Sequence, residues 1–282
     1  MPTPTQDGQI SVNGLLLGAG TTYDVVAFNP YQRAVRHNQT DRAWTDGAWS
    51  GRELTAATAI PLRVHIVTDT TAAWVAAQQS LTAALRRTTS DVELRWRLGG
   101  TEYLMFVRPR LVEPDPSTSG YGHGPVTCAL MALDPRIYSA DQQQQQLGLP
   151  SAAGGATYPI TYPLTIAATV TSGRAEITNT GTEDTPLLLR IDAFGASLTQ
   201  PRVSLRSAGV VRVLRFDLTL TTGQWLDVDT SARTVYLNGT TSRRGNTSGD
   251  WPLLPAGTSE LAFDAAAYTA AAQLTATWRH AW

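Results

Sequence analysis

Residues 210–263 read VVRVLRFDLTLTTGQWLDVDTSARTVYLNGTTSRRGNTSGDWPLLPAGTSELAF, and this stretch sets the fold class. Leu214, Phe216, Leu218 and Leu220 fall on every second residue, which puts them on one face of a pleated strand. Residues 224–229 then set Trp225, Asp227 and Asp229 against Leu226 and Val228 across the pleat. Residues 234–237 are rich in β-branched and aromatic side chains, and Asn238-Gly239 suits the positive φ of a tight hairpin turn. A polar loop and Asp250-Trp251-Pro252 follow, and Pro255-Ala256-Gly257 leads into another alternating run at 260–263. The stretch is an antiparallel β module.

Composition bounds what surrounds it. With 282 residues, the chain has room for two domains or one large β domain, each with a full core. Only 16% of residues are charged, below the usual quarter. All 22 basic residues are Arg, a vocabulary expected of G+C-rich coding rather than of a binding device. The net charge of −1 argues against a general electrostatic grip on nucleic acid, which needs clustered positive charge. The single cysteine, Cys128, allows no intramolecular disulfide and no zinc site built on cysteines, and its apolar neighbours predict a buried small hydrophobe. No window approaches the ~20 apolar residues of a spanning helix, so no membrane insertion is expected. Residues 1–7 show no signal-peptide pattern; folding in a cytoplasm is expected, and the three Asn-x-Ser/Thr sequons are read as chance.

Read in order, residues 9–17 predict a strand or a small hairpin about Asn13-Gly14, and 23–28 a second strand. Residues 29–53 turn polar and loop-like, with Arg33, Arg36, Arg42 and Arg52 among Trp44 and Trp49. Arginine interleaved with tryptophan suits a single nucleic-acid strand, but equally a contact with a neighbouring subunit. Asp41, Asp46 and Glu53 dilute the positive field, which favours the subunit contact. Leu62, Val64 and Ile66 alternate with Arg63 and His65 in a strand over 60–67, where His65 sits on the polar face with no second His or Cys nearby in sequence.

Asp69-Thr70 then offers an N-cap, and Trp74, Ala77, Leu81, Ala84 and Leu85 share one helical face, with Arg86 and Arg87 in the last turn. A weaker helix is expected around 263–272. Strands are expected over 92–98, 102–112 (with Pro109 at an edge or bulge) and 126–133, separated by the Gly99-Gly100 turn and a long loop at 113–124. Gln142 to Gln146 and the small residues after them read as a linker or extended arm, which puts a domain boundary there. Beyond it come strand candidates at 162–170, 175–179, 186–194, 203–206 and 273–278, the spacing of a β-sandwich.

Catalytic constellations are missing from the pattern. His37, His65, His123 and His280 are scattered, and there is no GxSxG elbow, GxGxxG, P-loop or EF-hand loop. Asp227 and Asp229 share a strand face, where an acid/base pair or a cation would be the functional use and a solvated surface the expected one. No catalytic, metal or cofactor residue is therefore nominated, and no enzyme activity is expected.

Three motifs carry a resemblance. Gly223-Gln224-Trp225-Leu226-Asp227-Val228-Asp229 runs on to Arg233-Thr234-Val235-Tyr236-Leu237-Asn238-Gly239, and Ser248-Gly249-Asp250-Trp251-Pro252 to Gly257. Asn179-Thr180-Gly181 precedes Pro186 at the spacing of a strand pair. Together they resemble the C-terminal domain of the distal tail proteins of long-tailed bacteriophages. The N-terminal half is similar by order of elements, with Asp46-Gly47-Ala48-Trp49-Ser50-Gly51 and the closing Asp134-Pro135-Arg136.

The resemblance implies a mainly β protein: an N-terminal belt domain (1–140, a β-sandwich with one α-helix), a linker or arm (141–157) and a galectin-like β-sandwich (158–282). It implies a homo-oligomer, a hexameric ring at the tail tip of the virion, assembled in the host cytoplasm. The implied neighbours are the tail tube protein and the tail-tip hub protein, with tape measure and receptor-binding proteins beyond them. Genomic DNA would pass the lumen without specific binding, which a near-neutral chain suits. The segments 29–53 and 138–157 are the candidates for inter-subunit contact. The alternative is a glycan-binding β-sandwich used in host attachment, with Trp225 and Trp251 as sugar platforms and Trp278 as a further aromatic.

Overall fold

In a computed structural model of the chain, residues 2–153, 169–195, 197–268 and 272–282 are described. The strand expected at 162–170 and the small-residue run after Ala153 lie largely outside them. The chain divides into two compact units, Met1–Ala140 and Asp141–Trp282.

The first unit is one eight-stranded antiparallel sheet with one helix. Its first strands, β1 (Ile10–Val12) and β2 (Leu15–Leu17), form the small hairpin foreseen about Asn13 and Gly14, whose φ values are 46° and 86°. The strand β3 (Tyr23–Phe28) comes next. Four short strands belong to a separate ribbon: β4 (Val35–Arg36), β5 (Gln39–Asp41), β6 (Ala48–Ser50) and β7 (Leu54–Thr55). The main sheet resumes with β8 (Thr58–Val67), β9 (Val92–Leu98), β10 (Thr101–Pro114), β11 (His123–Ala132) and the short β12 (Tyr138–Ser139).

The sheet order is β2-β1-β9-β10-β11-β8-β3, with β12 alongside β10. The end strands β2 and β3 are consecutive in the chain and in contact, so the sheet curls back on itself around a single interior. The strand β8 shows why: Thr58, Ile60, Leu62, Val64 and Ile66 are all buried, and every residue between them is at least partly exposed. Each fully buried apolar side chain of this size contributes about 1.5–3 kcal/mol. A bulge separates Pro109 from Leu111 against β11, as the proline foretold.

The helix α1 (Thr71–Ala84) covers part of this interior. The Thr70 side chain accepts the Ala73 amide as N-cap, and Trp74, Leu81 and Leu85 turn into the core. The Tyr23 hydroxyl donates to the Ala77 carbonyl at 3.0 Å and the Asn13 amide to that of Ala84 at 2.9 Å, which fixes the helix to the first hairpin and to β3. Arg86 and Arg87 fall beyond the helix, because the chain leaves helical geometry at Leu85. The expected loop at 113–124 is shortened by β10 and by a 3-10 helix over Pro116–Tyr121. Cys128 is 1% exposed, and burial pushes its thiol up to about 11.

The second unit begins with β13 (Gln143–Gly148), β14 (Ser151–Ala153), β15 (Thr169–Thr171), β16 (Arg174–Asn179), β17 (Thr185–Pro186) and β18 (Leu188–Ala193). It continues through β19 (Leu198–Ser207), β20 (Val210–Phe216), β21 (Thr219–Leu220), β22 (Trp225–Asp229), β23 (Thr234–Leu237) and β24 (Thr241–Ser242). It ends with β25 (Thr247–Gly249), β26 (Leu253–Leu254), β27 (Gly257–Ala267) and β28 (Ala272–Trp278). Two six-stranded antiparallel sheets, β13-β28-β18-β22-β23-β24 and β16-β27-β19-β20-β25 with β21, enclose one core.

Three expectations change here. The glutamine run is no linker: β13 pairs in register with β28, Gln143 opposite Trp278, and Leu147 is buried. Gln143 and Gln145 share the face of Leu147 and are half-buried while Gln144 and Gln146 are exposed, so the ladder with β28 and the anchor at Leu147 make this a strand. The helix expected around 263–272 is replaced through Ala267 by β27, whose partner β19 outweighs the helical preference of its alanines. The single strand foreseen over 214–220 breaks at Asp217 into β20 and β21, where the Asp217 amide donates to the Asn246 carbonyl.

A buried amide ties the second unit together. Asn179 is fully buried; its Nδ2 donates to the carbonyls of Glu183 and Leu254, at 2.7 and 3.4 Å. Its Oδ1 accepts from the amides of Gly181 and Ala281, at 3.1 and 3.2 Å. A side chain on Gly181 would run into the Ala281 carbonyl, so only glycine fits. Beside it, the His280 Nδ1 accepts the Thr180 amide at 3.1 Å, a bond made by the neutral ring, and burial holds that imidazole below its ordinary 6.5.

Asn179→Ala strands three buried backbone groups and one part-buried, so urea unfolding of this unit should show a loss of about 3 kcal/mol or more. A loss within experimental error would mean that water replaces the amide at no cost. A lowered folded pKa makes protonation destabilising: the contribution is whole above the unfolded value and is lost as pH falls through the lower folded one. Stability of the second unit should therefore fall as pH drops below about 6.5, less steeply in His280→Gln. An equal slope in the variant would remove His280 from the account.

Candidate functional site

The segment expected as a loop at 29–53 is a two-stranded ribbon standing off the first unit. Arg36 pairs with Leu54 and Val35 with Thr55 at its root; Gln39 pairs with Ser50, Thr40 with Trp49 and Asp41 with Ala48 further out. The two pieces are continuous, because the Gly51 amide donates to the Asn38 carbonyl at 2.6 Å. A Cβ on Gly51 would lie 2.6 Å from that same oxygen, which is why glycine stands at the join. The Arg42 amide donates to the Gly47 carbonyl at 3.0 Å and closes the turn, where Gly47 takes a φ of 96°.

The nominated residues distribute along this ribbon. The Arg42 guanidinium lies over the Trp49 ring at 4.6 Å, worth about 0.5–1 kcal/mol at an exposed site. Arg36 and Arg33 are at the root, and Arg52 sits where the two strands are out of step, next to the facing pair His37 and Glu53 at 3.7 Å. Trp44 is in the turn and 95% exposed; Trp49 is 66% exposed. Val35 and Leu54 are exposed too. A lone two-stranded hairpin is marginal in water, and this one holds two indoles in solvent with no second layer.

At the foot of the ribbon lies a groove of about 280 Å³ that sequence reasoning missed. Its floor is the Trp96 indole, with Phe28 edge-on at 5.7 Å and Tyr31 edge-on at 6.2 Å. Trp96 Nε1 donates to the Tyr31 hydroxyl at 3.2 Å. Val25, Pro30 and Leu98 line it with Arg97, and Tyr31 and Leu98 are about half exposed. The available signal was faint: an aromatic beyond Pro30 and a leucine at the end of β9.

The other nominated residues are placed differently. The Arg190 guanidinium lies 4.7 Å over the Trp225 ring, and Arg244 equally over Trp251, so each indole carries a cation over one face. Trp225 Nε1 donates to Asp227 at 2.9 Å, and Trp251 packs on the core. Trp278 is itself core, 7% exposed, with its Nε1 donating to the Thr178 carbonyl. Asp227 and Asp229 share the outer face of β22, and Asp229 accepts the amides of Ser231 and Ala232 in a turn. His65, expected without a histidine nearby in sequence, meets His123 edge-on at 5.8 Å, because β8 and β11 are paired. Among the described residues no three His, Cys, Asp or Glu gather as a metal site.

Residues 180–282 match the family model described as the siphovirus-type tail component, C-terminal domain. In three dimensions the chain is similar to the Dit protein of phage SPP1, described as a paradigm of the hub adsorption apparatus in phages infecting Gram-positive bacteria. The TM-score is 0.67 at 14% identity, over 97% of this chain and 98% of that one. Chains of the phage P2 baseplate in its activated conformation are also similar. The calcium form gives a TM-score of 0.54 at 10% identity over 95% and 97% of the two chains, and the strontium form 0.54 at 11% over 95% and 96%. No curated protein matches the chain by sequence. Residues 180–282 thus carry the pattern of the siphovirus-type tail component family, and nearly the whole chain is similar in fold to the Dit protein of phage SPP1.

Proposed function

We propose that this protein is a structural component at the distal end of a phage tail, where six identical copies close into a ring. The ring joins the tail tube to the tail-tip hub, with tape measure and receptor-binding proteins as further neighbours, and leaves a lumen for genomic DNA. Its work is assembly, with no active-site chemistry and no cofactor. The family match of the second unit and the fold likeness along nearly the whole chain support the placement in a tail.

The observation that carries the ring is the ribbon at 33–56. A chain that met no partner would gain nothing by holding Trp44 at 95% exposure on a two-stranded support. A ribbon projecting from one side of a subunit makes a head-to-tail contact, and head-to-tail contacts close into rings when the rotation permits. The near-neutral charge fits a conduit that must not retain DNA.

Native mass spectrometry of the purified protein, alone and with tube protein, tests this. Six copies of the 30.3 kDa chain should give a species of about 180 kDa. Replacing residues 36–54 by a two-glycine turn should leave the sheet folded and the protein monomeric. A wild-type protein that stays monomeric alone, with tube protein and in intact particles would refute the ring.

A further inference from the structure

The ribbon's tip and the groove at its foot are complementary in chemistry and charge, and the paired strands hold them apart within one chain. From Val35 to Arg42 the ribbon rises roughly 3.3 Å per residue, so its turn stands about 23 Å out from its own root. The backbone pairing that holds it straight, Asp41 with Ala48 and Gln39 with Ser50, would have to break before the turn could fold back.

We propose that Trp44 of one copy seats in the Phe28–Tyr31–Trp96 groove of the next copy in the ring; this rests on the ring described above and names its contact. The occupant must be apolar, because the polar atoms at the floor are already used: Trp96 Nε1 donates to the Tyr31 hydroxyl. It must be large and aromatic, because the groove of about 280 Å³ offers aromatic edges and the side of Leu98. Trp44, in the turn and unpacked, is the side chain of that kind at the ribbon tip.

Charge points the same way. Arg97 lines the groove and its carboxylate partner, Asp7, stands off at 3.7 Å. Asp41 and Asp46 flank Trp44, and neither has an ion pair among the described residues. A seated tip brings one or both to a guanidinium, which orients the ribbon and disfavours the reverse approach. Knob and hole lie on different surfaces of the same chain, so each copy gives one and receives one. A tryptophan in an aromatic pocket is the usual composition of an interface hot spot.

The test uses two full-length variants, Trp44→Ala and Leu98→Glu, both at exposed positions, with far-UV circular dichroism and thermal melting confirming the fold. Each alone should associate at least about thirtyfold more weakly than wild type by native mass spectrometry. Mixed, they should form a one-to-one dimer and no larger species, since one variant retains a working groove and the other a working tip. Rings of normal strength in both single variants would overturn the seating of Trp44 while leaving the ring intact. So would a mixture that gives no dimer while wild type forms rings. A wild type that never assembles would overturn both.

Discussion

The side chain of Asn179 fills all four of its hydrogen-bonding positions inside the protein, two as donor and two as acceptor. The partners come from three places: the turn after β16, the residue before Pro255, and Ala281 beyond β28. No apolar contact could fix three backbone segments in this way, because dispersion has no direction. The two sheets supply most of the favourable energy through their shared interior, but the amide sets which segments meet at that end. Gly181 completes the arrangement by admitting the Ala281 carbonyl. The Asn-x-Gly motif is thus a structural lock. It belongs to the part of the chain that is self-sufficient.

The ribbon obeys the opposite logic. The first unit satisfies itself by curling one sheet around a single interior, with β8 contributing five buried side chains on one face. At 33–56 the same chain leaves that interior and builds outward chiefly with backbone hydrogen bonds. Backbone pairing contributes little net stability when water competes for it, so such an element persists by local turns and by what it later touches. A cation–π pair between Arg42 and Trp49 stiffens it. Rigid sheet and outward ribbon together leave the first unit with aromatic side chains held in solvent on one element.

Much of this was legible in the residues. Alternation exposed β8, β9 and the strands of the opening stretch, because a two-residue period is imprinted wherever one face of a sheet is buried. Asn13-Gly14 and Asn238-Gly239 announced their turns, since few other dipeptides tolerate two positive φ values in succession. The ribbon was not legible as strands: with both faces in solvent, nothing forces its side chains to alternate. The groove was missed for a related reason, since Phe28, Tyr31 and Trp96 come from β3, the ribbon root and β9, which only the curl of the sheet brings together. The glutamine run was misjudged because composition suggested flexibility, while pairing with β28 decided the outcome.

That run has a genetic corollary. In a homopolymer every residue is interchangeable with its neighbour, so a glutamine inserted into the run leaves the same side chain at each paired position from Gln143 to Gln146. Leu147 and Leu149 hold the downstream end in the core, and any glutamine gained by replication slippage is fed upstream, into the chain joining the two units. The run can therefore lengthen over generations while Leu147 and Leu149 keep their places.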